Sequence, residues 1–326
     1  MKIAIFSHTH IGTLICNWPL FAAVRKRYPQ AEITAFLAWR NRELAPYLLH
    51  LCDHVVVMPD FVGKKKYLAV LRYGWGYRKQ FDLVVCGLEP RKVDHILFGV
   101  LGAPTIAYVE DNWHGRLISQ PVKFDIPAMR QMRHAQYILR VFEPDAVVDP
   151  SRFPRFDDVR RVFRIPPSAL TRTQPRQPDE PVRLLISATN NRADARMDTA
   201  RLISVIGALA EQIPLQVFVC WLGQDQPKAV QLAAAMPVPA EVLDTPSLGE
   251  FMAALSDMDL VLVGDGGIMH MAAALDIPQV VVFGSTLVTE WAPMSERAVC
   301  LRDERGVNHI AESDIVTALL RQLHAT

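Results

Sequence analysis

Short apolar runs rich in β-branched residues alternate with longer amphipathic stretches along both halves of the chain. Continuous apolar runs are typical of strands buried in parallel sheets, and amphipathic stretches between them are typical of crossover helices. The pattern therefore predicts the α/β class. Predicted strands fall at 2–6, 32–37, 55–58, 83–86 and 105–108 in the first half and at 182–187, 215–220, 259–264 and 279–284 in the second.

Helices are predicted at 14–27, 195–211 and 268–275. In the second of these, one apolar face is predicted from Met197, Ala200, Ile203, Ile206 and Ala210. Between 149 and 181 prolines recur every few residues, which is typical of a linker with at most one short helix. With 326 residues the chain favours two domains. We expect a Rossmann-like domain at 1–165, a Pro-rich linker at 166–181 and a second Rossmann-like domain at 182–326.

Composition and net charge exclude several classes of protein. Half of the residues are hydrophobic, 21% are charged and the net charge is +1, which excludes a disordered chain and gives no global field for nucleic acid. The five scattered cysteines form no C-x-x-C pair, so neither a disulfide framework nor a zinc site is expected. The N-terminus lacks the features of a secretory leader, and no apolar run approaches the ~20 residues of a membrane span. We expect a cytoplasmic protein with at most a peripheral membrane contact.

The stretch "GDGGIMHMAAALDIPQVVVFGST", 264–286, carries the strongest chemical signal. A buried strand leads into Asp265, Gly266 and Gly267, and a small-residue helix follows. Glycines at a helix start let backbone N–H groups approach a phosphate, and the helix dipole favours an anion there. The turn therefore suits a diphosphate. The alternative is that Asp265 caps the helix, that the glycines make a tight turn and that His270 is a core residue.

This stretch and the following "EWAP" resemble the donor-binding signature of glycosyltransferase family nine, the ADP-heptose lipopolysaccharide heptosyltransferases. "IGTLICNWPLFAAVRKRYPQAEI", "KQFDLVVCGLEPRKV" and "LGAPTIAY" resemble other segments of that family. The resemblance implies the GT-B fold, in which two Rossmann-like domains face a central cleft. It implies that the second domain holds the nucleotide sugar, that the first holds the acceptor, and that no cofactor or metal is needed.

Residue by residue, the resemblance implies a donor site in the second half. Thr189, Asn190, Gly266, Gly267 and His270 would lie near the diphosphate. Asp265 and Thr286 belong to the same signature. The family lysine is missing, and Arg192 or Arg196 would supply its charge, unless both lie on a solvated helix face. Asp225 would hold the ribose, unless it is a surface loop residue.

The first loop departs from the family pattern. Where the family has a carboxylate to take the proton of the acceptor hydroxyl, this chain has Thr13, which cannot serve as a general base. Three answers stay open. His8 or His10 of the same turn takes the proton, or Glu110 or Asp111 does, or the chain binds donor without transferring it or uses a different acceptor chemistry.

The segment 61–80 is basic. Lys64, Lys65 and Lys66 would meet an acidic lipopolysaccharide core, and Tyr73, Trp75 and Tyr77 would stack on sugars. The alternative is a solvated basic loop. The same basic and aromatic residues could bind nucleic acid, but no nucleic-acid-binding module accompanies them.

We therefore expect an inverting, metal-independent transfer of heptose from ADP-heptose to a lipopolysaccharide core or related glycan. The alternatives are another nucleotide sugar, a protein acceptor, an epimerase on the same scaffold, or a donor-binding protein without transfer activity.

Overall fold

The computed structural model describes residues 1–150, 153, 155–168, 171–172 and 176–324. The chain divides into two compact units, Met1–Arg152 and Phe153–Thr326. Each unit is built around one parallel six-stranded sheet.

In unit 1 the strands are ordered β3-β2-β1-β4-β5-β6, and every pair is parallel. The predicted strands are confirmed to within one residue at each end, because each is a continuous apolar run. The bounds are β1 Lys2–Ser7, β2 Glu32–Ala38, β3 His54–Met58, β4 Leu83–Cys86, β5 Thr105–Val109 and β6 Gln120–Lys123.

The helices of unit 1 are α1 Ile11–Cys16, α2 Trp18–Arg27, α3 Ala45–Leu48, α4 Lys66–Gly76, α5 Lys92–Leu101, α6 Ile126–Arg130 and α7 His134–Arg140. Segments of 3₁₀ helix lie at Trp39–Leu44 and Trp113–Leu117. The single helix predicted at 14–27 is wrong, since α1 and α2 separate at Asn17. Pro19 causes the break because it has no N–H to bond the carbonyl of Ile15.

In unit 2 the order is β12-β11-β10-β7-β8-β9, again all parallel. The strands are β7 Val182–Ser187, β8 Leu215–Cys220, β9 Ala240–Val242, β10 Leu260–Gly264, β11 Gln279–Phe283 and β12 Ala298–Arg302. Counted from the first strand of each unit, both sheets have the order 3-2-1-4-5-6 of a doubly wound dinucleotide-binding fold.

The helices of unit 2 are α8 Val159–Phe163, α9 Thr199–Ala210, α10 Gln226–Ala234, α11 Leu248–Leu255, α12 Gly267–Ala274, α13 Val288–Trp291 and α14 Glu312–His324. Short 3₁₀ turns lie at Ala193–Ala195 and Val307–His309. The face predicted for α9 is wrong in part, because the helix begins only at Thr199 and Ala200 is exposed. Its buried stripe is Leu202, Val205, Ile206 and Leu209. The predicted face assumed a helix that begins at 195, whereas the residues before Thr199 lie outside α9.

The segment that precedes β7 lies on unit 2 through arginines. Arg155 pairs with Asp276 at 2.5 Å, Arg160 with Asp257 and Arg172 with Asp259. The backbone N–H of Phe156 donates to the carbonyl of Ala274 at 2.7 Å. Unit 2 thus includes residues ahead of the expected boundary at 165, while the acceptor and donor roles of the two domains stay predictions.

The two cores are the apolar faces of the sheets and their helices. All five cysteines are free thiols, four of them buried, as the sequence predicted. Within the described residues, no helix combines the length and the apolar character needed to cross a bilayer.

Candidate functional site

Each sheet has a switch point, the place between two adjacent strands from which the strand order proceeds towards opposite edges of the sheet. In unit 1 it lies between β1 and β4, and in unit 2 between β7 and β10. Ligands of such folds bind beyond the carboxyl ends of the strands at this place. Every sequence-predicted candidate residue follows the carboxyl end of a strand of its own unit.

The switch point of unit 2 is organised around Asp265. Its carboxylate accepts hydrogen bonds from Arg192 Nη1 at 2.7 Å and from the hydroxyl of Thr286 at 2.6 Å. The side-chain amide of Asn190 donates to the backbone carbonyl of Asp265 at 2.9 Å. Burial raises the pKa of the Asp265 carboxyl above its ordinary value, against the opposing effect of Thr286 and Arg192. Four predicted donor-site residues are thus joined in one network.

A second carboxylate, Asp194, extends this network. It accepts hydrogen bonds from the hydroxyl of Ser285 at 2.5 Å and from its backbone N–H at 2.9 Å, and Arg192 Nη2 lies 3.1 Å away. The Ser285 hydrogen bonds, helped by Arg192, hold the pKa of Asp194 well below its usual range. Arg192 therefore connects two carboxylates, and its guanidinium is committed to the protein.

Gly264, Gly266 and Gly284 differ in how closely the rest of the protein approaches them. A Cβ on Gly264 would come within 1.9 Å of the carbonyl oxygen of Ala195, and one on Gly284 within 2.4 Å of that of Asp194, so close packing demands both. A Cβ on Gly266 would approach nothing closer than 3.7 Å, and its φ of 170° is ordinary extended backbone. Nothing within the protein requires a glycine at 266, which leaves open space in front of the first turn of α12.

That first turn presents backbone N–H groups. Gly266 is the N-cap of α12 and has no side chain to bond them, and the first N–H groups of a helix have no partner inside it. Gly267 is the first residue of α12, and His270 lies one turn further on with its side chain buried. The opening of α12 therefore combines N–H donors that have no partner within the helix with the positive end of a helix dipole.

A small pocket adjoins this turn and is lined in part by Thr189, Asn190, Arg196 and Gly264. The buried hydroxyl of Thr189 has no hydrogen-bond partner. Arg196 is exposed, and its guanidinium is paired with no carboxylate in the described part of the chain. Of the two arginines predicted near the diphosphate, Arg196 is thus the one whose charge is not already neutralised.

Asp225 lies apart from this network, at the N-cap of α10 beyond the end of β8. Its carboxylate is 2.7 Å from Lys228 Nζ, one helical turn away. The ribose-binding role predicted for it stays a prediction.

The switch point of unit 1 holds an ion-pair network that the sequence did not predict, in which the side chains of Asp94 and His8 are buried and that of Arg91 is half exposed. Arg91 donates from Nε to one oxygen of Asp94 at 2.6 Å and from Nη2 to the other at 2.9 Å. His8 Nε2 lies 2.7 Å from Asp94 and 2.5 Å from Arg91 Nη2, so it bonds one or the other according to its tautomer. Burial alone would raise the pKa of Asp94, but His8 and Arg91 outweigh it and hold that pKa at about 2.

The carboxyl end of β5 carries Glu110 and Asp111, both exposed. The N-cap of the 3₁₀ segment that follows is Asn112, whose side chain accepts from the N–H of Gly115 at 3.0 Å. Glu110 accepts a 3.3 Å hydrogen bond from the Asn112 amide, whereas the Asp111 carboxylate makes no hydrogen bond or ion pair within the described residues. The Asp111 carboxylate is thus free of any local structural task.

Two histidines lie beside this strand end. His95 Nε2 lies 2.9 Å from the carbonyl of Tyr108, to which only a ring N–H can bond, and its Nδ1 lies 2.8 Å from His114 Nδ1. Burial lowers the pKa of His95, which favours the neutral ring. In the neutral ring, His95 Nδ1 carries a lone pair and accepts a hydrogen bond from the Nδ1–H of His114. When His114 is also neutral, its own lone pair lies on Nε2.

Thr13, which follows the loop after β1, lies within helix α1. Its backbone carbonyl accepts hydrogen bonds from the backbone N–H and from the side-chain amide of Asn17. His10 is exposed, and its Nδ1 lies 3.2 Å from Arg40 Nη1, an obligatory donor. His8 Nδ1 is buried without a hydrogen-bond partner. Of the two histidines, only His10 is open to solvent.

The basic segment of unit 1 has mixed burial. Lys64 and Lys65 are exposed and Lys66 begins α4. Tyr73 and Tyr77 pack against Phe36, Phe61 and Phe81 in the core of unit 1. The prediction that these two tyrosines stack on sugars is therefore wrong, because the helical period places them on the inner face of α4. Trp75 is exposed, as that prediction required.

The sequence did not identify three residues of these networks, Asp94, His95 and Asp194. Each of them is hydrogen-bonded to a residue that is distant in the chain. The only sequence signal was a set of ionisable residues just after a strand end. Among the residues that the structure describes, no group of three or more His, Cys, Asp or Glu side chains is arranged to hold a metal ion.

The model of glycosyltransferase family 9 (heptosyltransferase) matches residues 156–316. No curated protein matches the chain.

Solved structures match over nearly the whole chain. A glycosyl transferase family 9 protein from Veillonella parvula DSM 2008 is 16% identical, with a TM-score of 0.77 over 100% of this chain and 97% of that one. E. coli ADP-heptose lps heptosyltransferase II is 16% identical, with a TM-score of 0.77 over 100% and 99%. E. coli heptosyltransferase WaaC with ADP is 13% identical, with a TM-score of 0.72 over 99% and 100%. These likenesses establish the fold, which is that of GT-B glycosyltransferases.

Proposed function

We propose a specific reaction for this glycosyltransferase, whose residues 156–316 belong to glycosyltransferase family 9. The chain moves heptose from ADP-heptose to a hydroxyl of a lipopolysaccharide core or related glycan, with inversion and without a metal ion. The turn at Gly266 carries the proposal, because it is open where the protein itself has no need of a glycine. The solved structures named for ADP-heptose heptosyl transfer support this choice of donor.

The donor diphosphate lies at the first turn of α12 in this proposal. The N–H groups of that turn bind its oxygens, and the helix dipole offsets its charge. Thr189 supplies a hydroxyl that has no partner within the protein. Asp265 and Asp194 carry negative charge and do not bind phosphate; they position Arg192, Thr286 and Ser285.

The two arginines have different tasks. Arg192 is held by both carboxylates, so it stabilises the turn. Arg196 has no carboxylate partner and supplies the positive charge on the departing diphosphate. We expect Arg192→Gln to lower the unfolding temperature. Arg196→Gln leaves that temperature unchanged and lowers kcat about 10²-fold, the usual cost of removing one donor to a developing anion.

The base comes from the strand ends of unit 1. The acceptor hydroxyl loses its proton to the Asp111 carboxylate while its oxygen attacks the anomeric carbon, and the bond from that carbon to the diphosphate breaks, so that ADP leaves with the electron pair. Asp111 is preferred because its carboxylate is exposed and unengaged. Glu110 already accepts a hydrogen bond from Asn112 through one of its oxygens, and the His10 ring nitrogen that faces Arg40 would have to give up that donor before it could take a proton.

The second candidate function is donor binding without transfer, which Thr13 in place of the family carboxylate favours. Turnover separates the two. The purified chain is incubated with ADP-heptose and a set of truncated lipopolysaccharide cores, and the acceptor masses are measured. A gain of one heptose supports transfer. Protection against melting by ADP-heptose with no gain on any core supports the binding protein, and no protection at all contradicts the donor assignment.

A further inference from the structure

Helix α4 has two apolar stripes, whereas a surface helix ordinarily has one. The inner stripe, Val70, Tyr73, Gly74 and Tyr77, packs against the core of unit 1. A Cβ on Gly74 would lie 2.9 Å from Val100, so α4 and α5 approach closely along this stripe. The inner stripe fully accounts for the attachment of α4, and a second stripe is not needed for folding.

The second stripe faces solvent. Leu68, Leu71 and Trp75 follow the i, i+3, i+7 spacing of one helix face, and they are 66%, 45% and 68% exposed. Val62, in the loop before the helix, is 77% exposed. Scattered single exposed apolar residues are ordinary, but a row of large ones on one helix marks an interaction surface.

The same segment is strongly basic. Between residues 61 and 80 there are six cations and no acidic residue, although the whole chain carries a net charge of only +1. The cations are Lys64, Lys65, Lys66, Arg72, Arg78 and Lys79, and among the described residues none is in an ion pair with a carboxylate. Arg78 lies over the ring of Trp75, with 4.9 Å from its guanidinium carbon to the ring centroid.

This combination distinguishes between kinds of partner. The cores of protein–protein interfaces are depleted in lysine, and nucleic acid offers nothing for exposed leucines. Leucine and tryptophan on one face of a helix flanked by lysine and arginine are the composition of helices that lie in the headgroup region of an anionic bilayer. Each such cation adds attraction to anionic lipid, and the attraction fades within a Debye length.

We propose that this face docks on an anionic phospholipid surface. The face, called here the outer face of α4, consists of Val62, Leu68, Leu71 and Trp75 with Lys64, Lys65, Arg72 and Arg78. The apolar residues enter the headgroup region and the cations meet lipid phosphates. Docking requires neither donor nor acceptor, so it stands or falls separately from the proposed transfer reaction.

The test is sedimentation of the full chain with vesicles, without ADP-heptose or lipopolysaccharide. We expect binding to vesicles of phosphatidylcholine mixed with phosphatidylglycerol, and little binding to phosphatidylcholine alone. The variant L68S/L71S/W75S should bind the anionic vesicles at least tenfold more weakly. Its matched control, L49S/V147S/V230S, removes three comparably exposed apolar residues elsewhere and should bind as the parent does. Circular dichroism and melting confirm that both variants fold.

The charge contribution is tested by K64Q/K65Q/R72Q, which should also bind at least tenfold more weakly and remove most of the salt dependence of the parent. Three results would overturn the proposal: no binding of the parent to anionic vesicles, equal losses in the outer-face and control variants, or an undiminished affinity in L68S/L71S/W75S. Binding of lipopolysaccharide cores without binding of phospholipid would assign the cations to the acceptor instead. Concentration-dependent dimers lost in L68S/L71S/W75S, without vesicle binding, would assign the face to a second copy of the chain.

Discussion

The two switch points have the same topology and different contents. In unit 2, the ends of β7 and β10 leave an open turn at Gly266 beside the exposed Arg196. In unit 1, the ends of β1 and β4 are filled by the buried side chains of His8 and Asp94, with Arg91 bonding both. One switch point offers space and donors to an anion, while the other is occupied by the protein itself.

The difference shows that the same sheet topology can leave its switch point open in one unit and fill it with side chains in the other. The buried carboxylate of Asp94 also answers a question raised by the first loop, where Thr13 stands in place of a carboxylate. His8 of that loop is bound to a carboxylate that comes from α5. Since Asp94 is already engaged by Arg91 and His8, we propose that the proton-accepting task falls to the neighbouring strand end, β5.

The largest effect is expected from Asp111→Asn. We predict a loss of kcat on the order of 10²–10⁴-fold, because the amide cannot take a proton, with the affinity for ADP-heptose unchanged. The measurement is heptose transfer by mass, alongside calorimetric donor binding. Glu110→Gln at the same strand end is the matched control and should keep most of the activity. Full activity of the Asp111 variant would move the base to Glu110, His10 or another group.

Asp94→Asn should destabilise unit 1 by about 2 kcal/mol, since the amide gives up the charge-assisted hydrogen bonds that the buried carboxylate accepts from Arg91 and His8. Urea unfolding measures the change. Asp158→Asn breaks an exposed pair with Arg161 and should cost less than about 1 kcal/mol. Equal effects of the two substitutions would show that the buried network contributes no more than a surface pair does.

The two switch points should respond to acid with opposite sign. The pKa of Asp94 is about 2 when folded against 3.8 for the free group, so its contribution of about 2 kcal/mol is present above pH ~4 and is lost as the pH falls towards 2. The pKa of Asp265 is raised on folding, so acid relieves its cost. Urea unfolding between pH 2 and 5 should therefore show a weaker acid loss in Asp94→Asn and a stronger one in Asp265→Asn than in the parent. The reverse order would refute the contrast.

The smallest effect is expected from Gly266→Ala. Its Cβ has room in the protein, so stability should be unchanged, but the methyl group occupies the space in front of α12 and should weaken ADP binding about tenfold. Gly207→Ala on α9 adds a methyl group with a nearest contact of 3.8 Å and should leave ADP binding as it is. Unchanged ADP affinity in the Gly266 variant would contradict the donor site at this turn.

The sequence by itself determined nine of the strands and the glycine turn before α12. Each of those nine strands is an apolar run, and the residues from Gly264 to Thr286 lie close together in the chain, so local pattern was sufficient to locate both. The strands β6, β9 and β12 were missed, because they are edge strands that the sheet order brings into place and their burial is incomplete. Local pattern also placed Asn190 and Arg192 at the end of β7, beside the turn. The break at Pro19 and the true face of α9 were missed, because both depend on where helical hydrogen bonding begins.

Only the tertiary structure decided which polar side chains are engaged. His8 and Asp94 are 86 residues apart, and Arg192 and Asp265 are 73 apart, so no spacing rule predicts that they meet. The pairing of Arg192, but not Arg196, with carboxylates and the solvent exposure of the second stripe of α4 were decided in the same way. The physical reason is that burial and hydrogen bonding depend on which strand ends the parallel sheet brings together, and strand order is a long-range property of the chain.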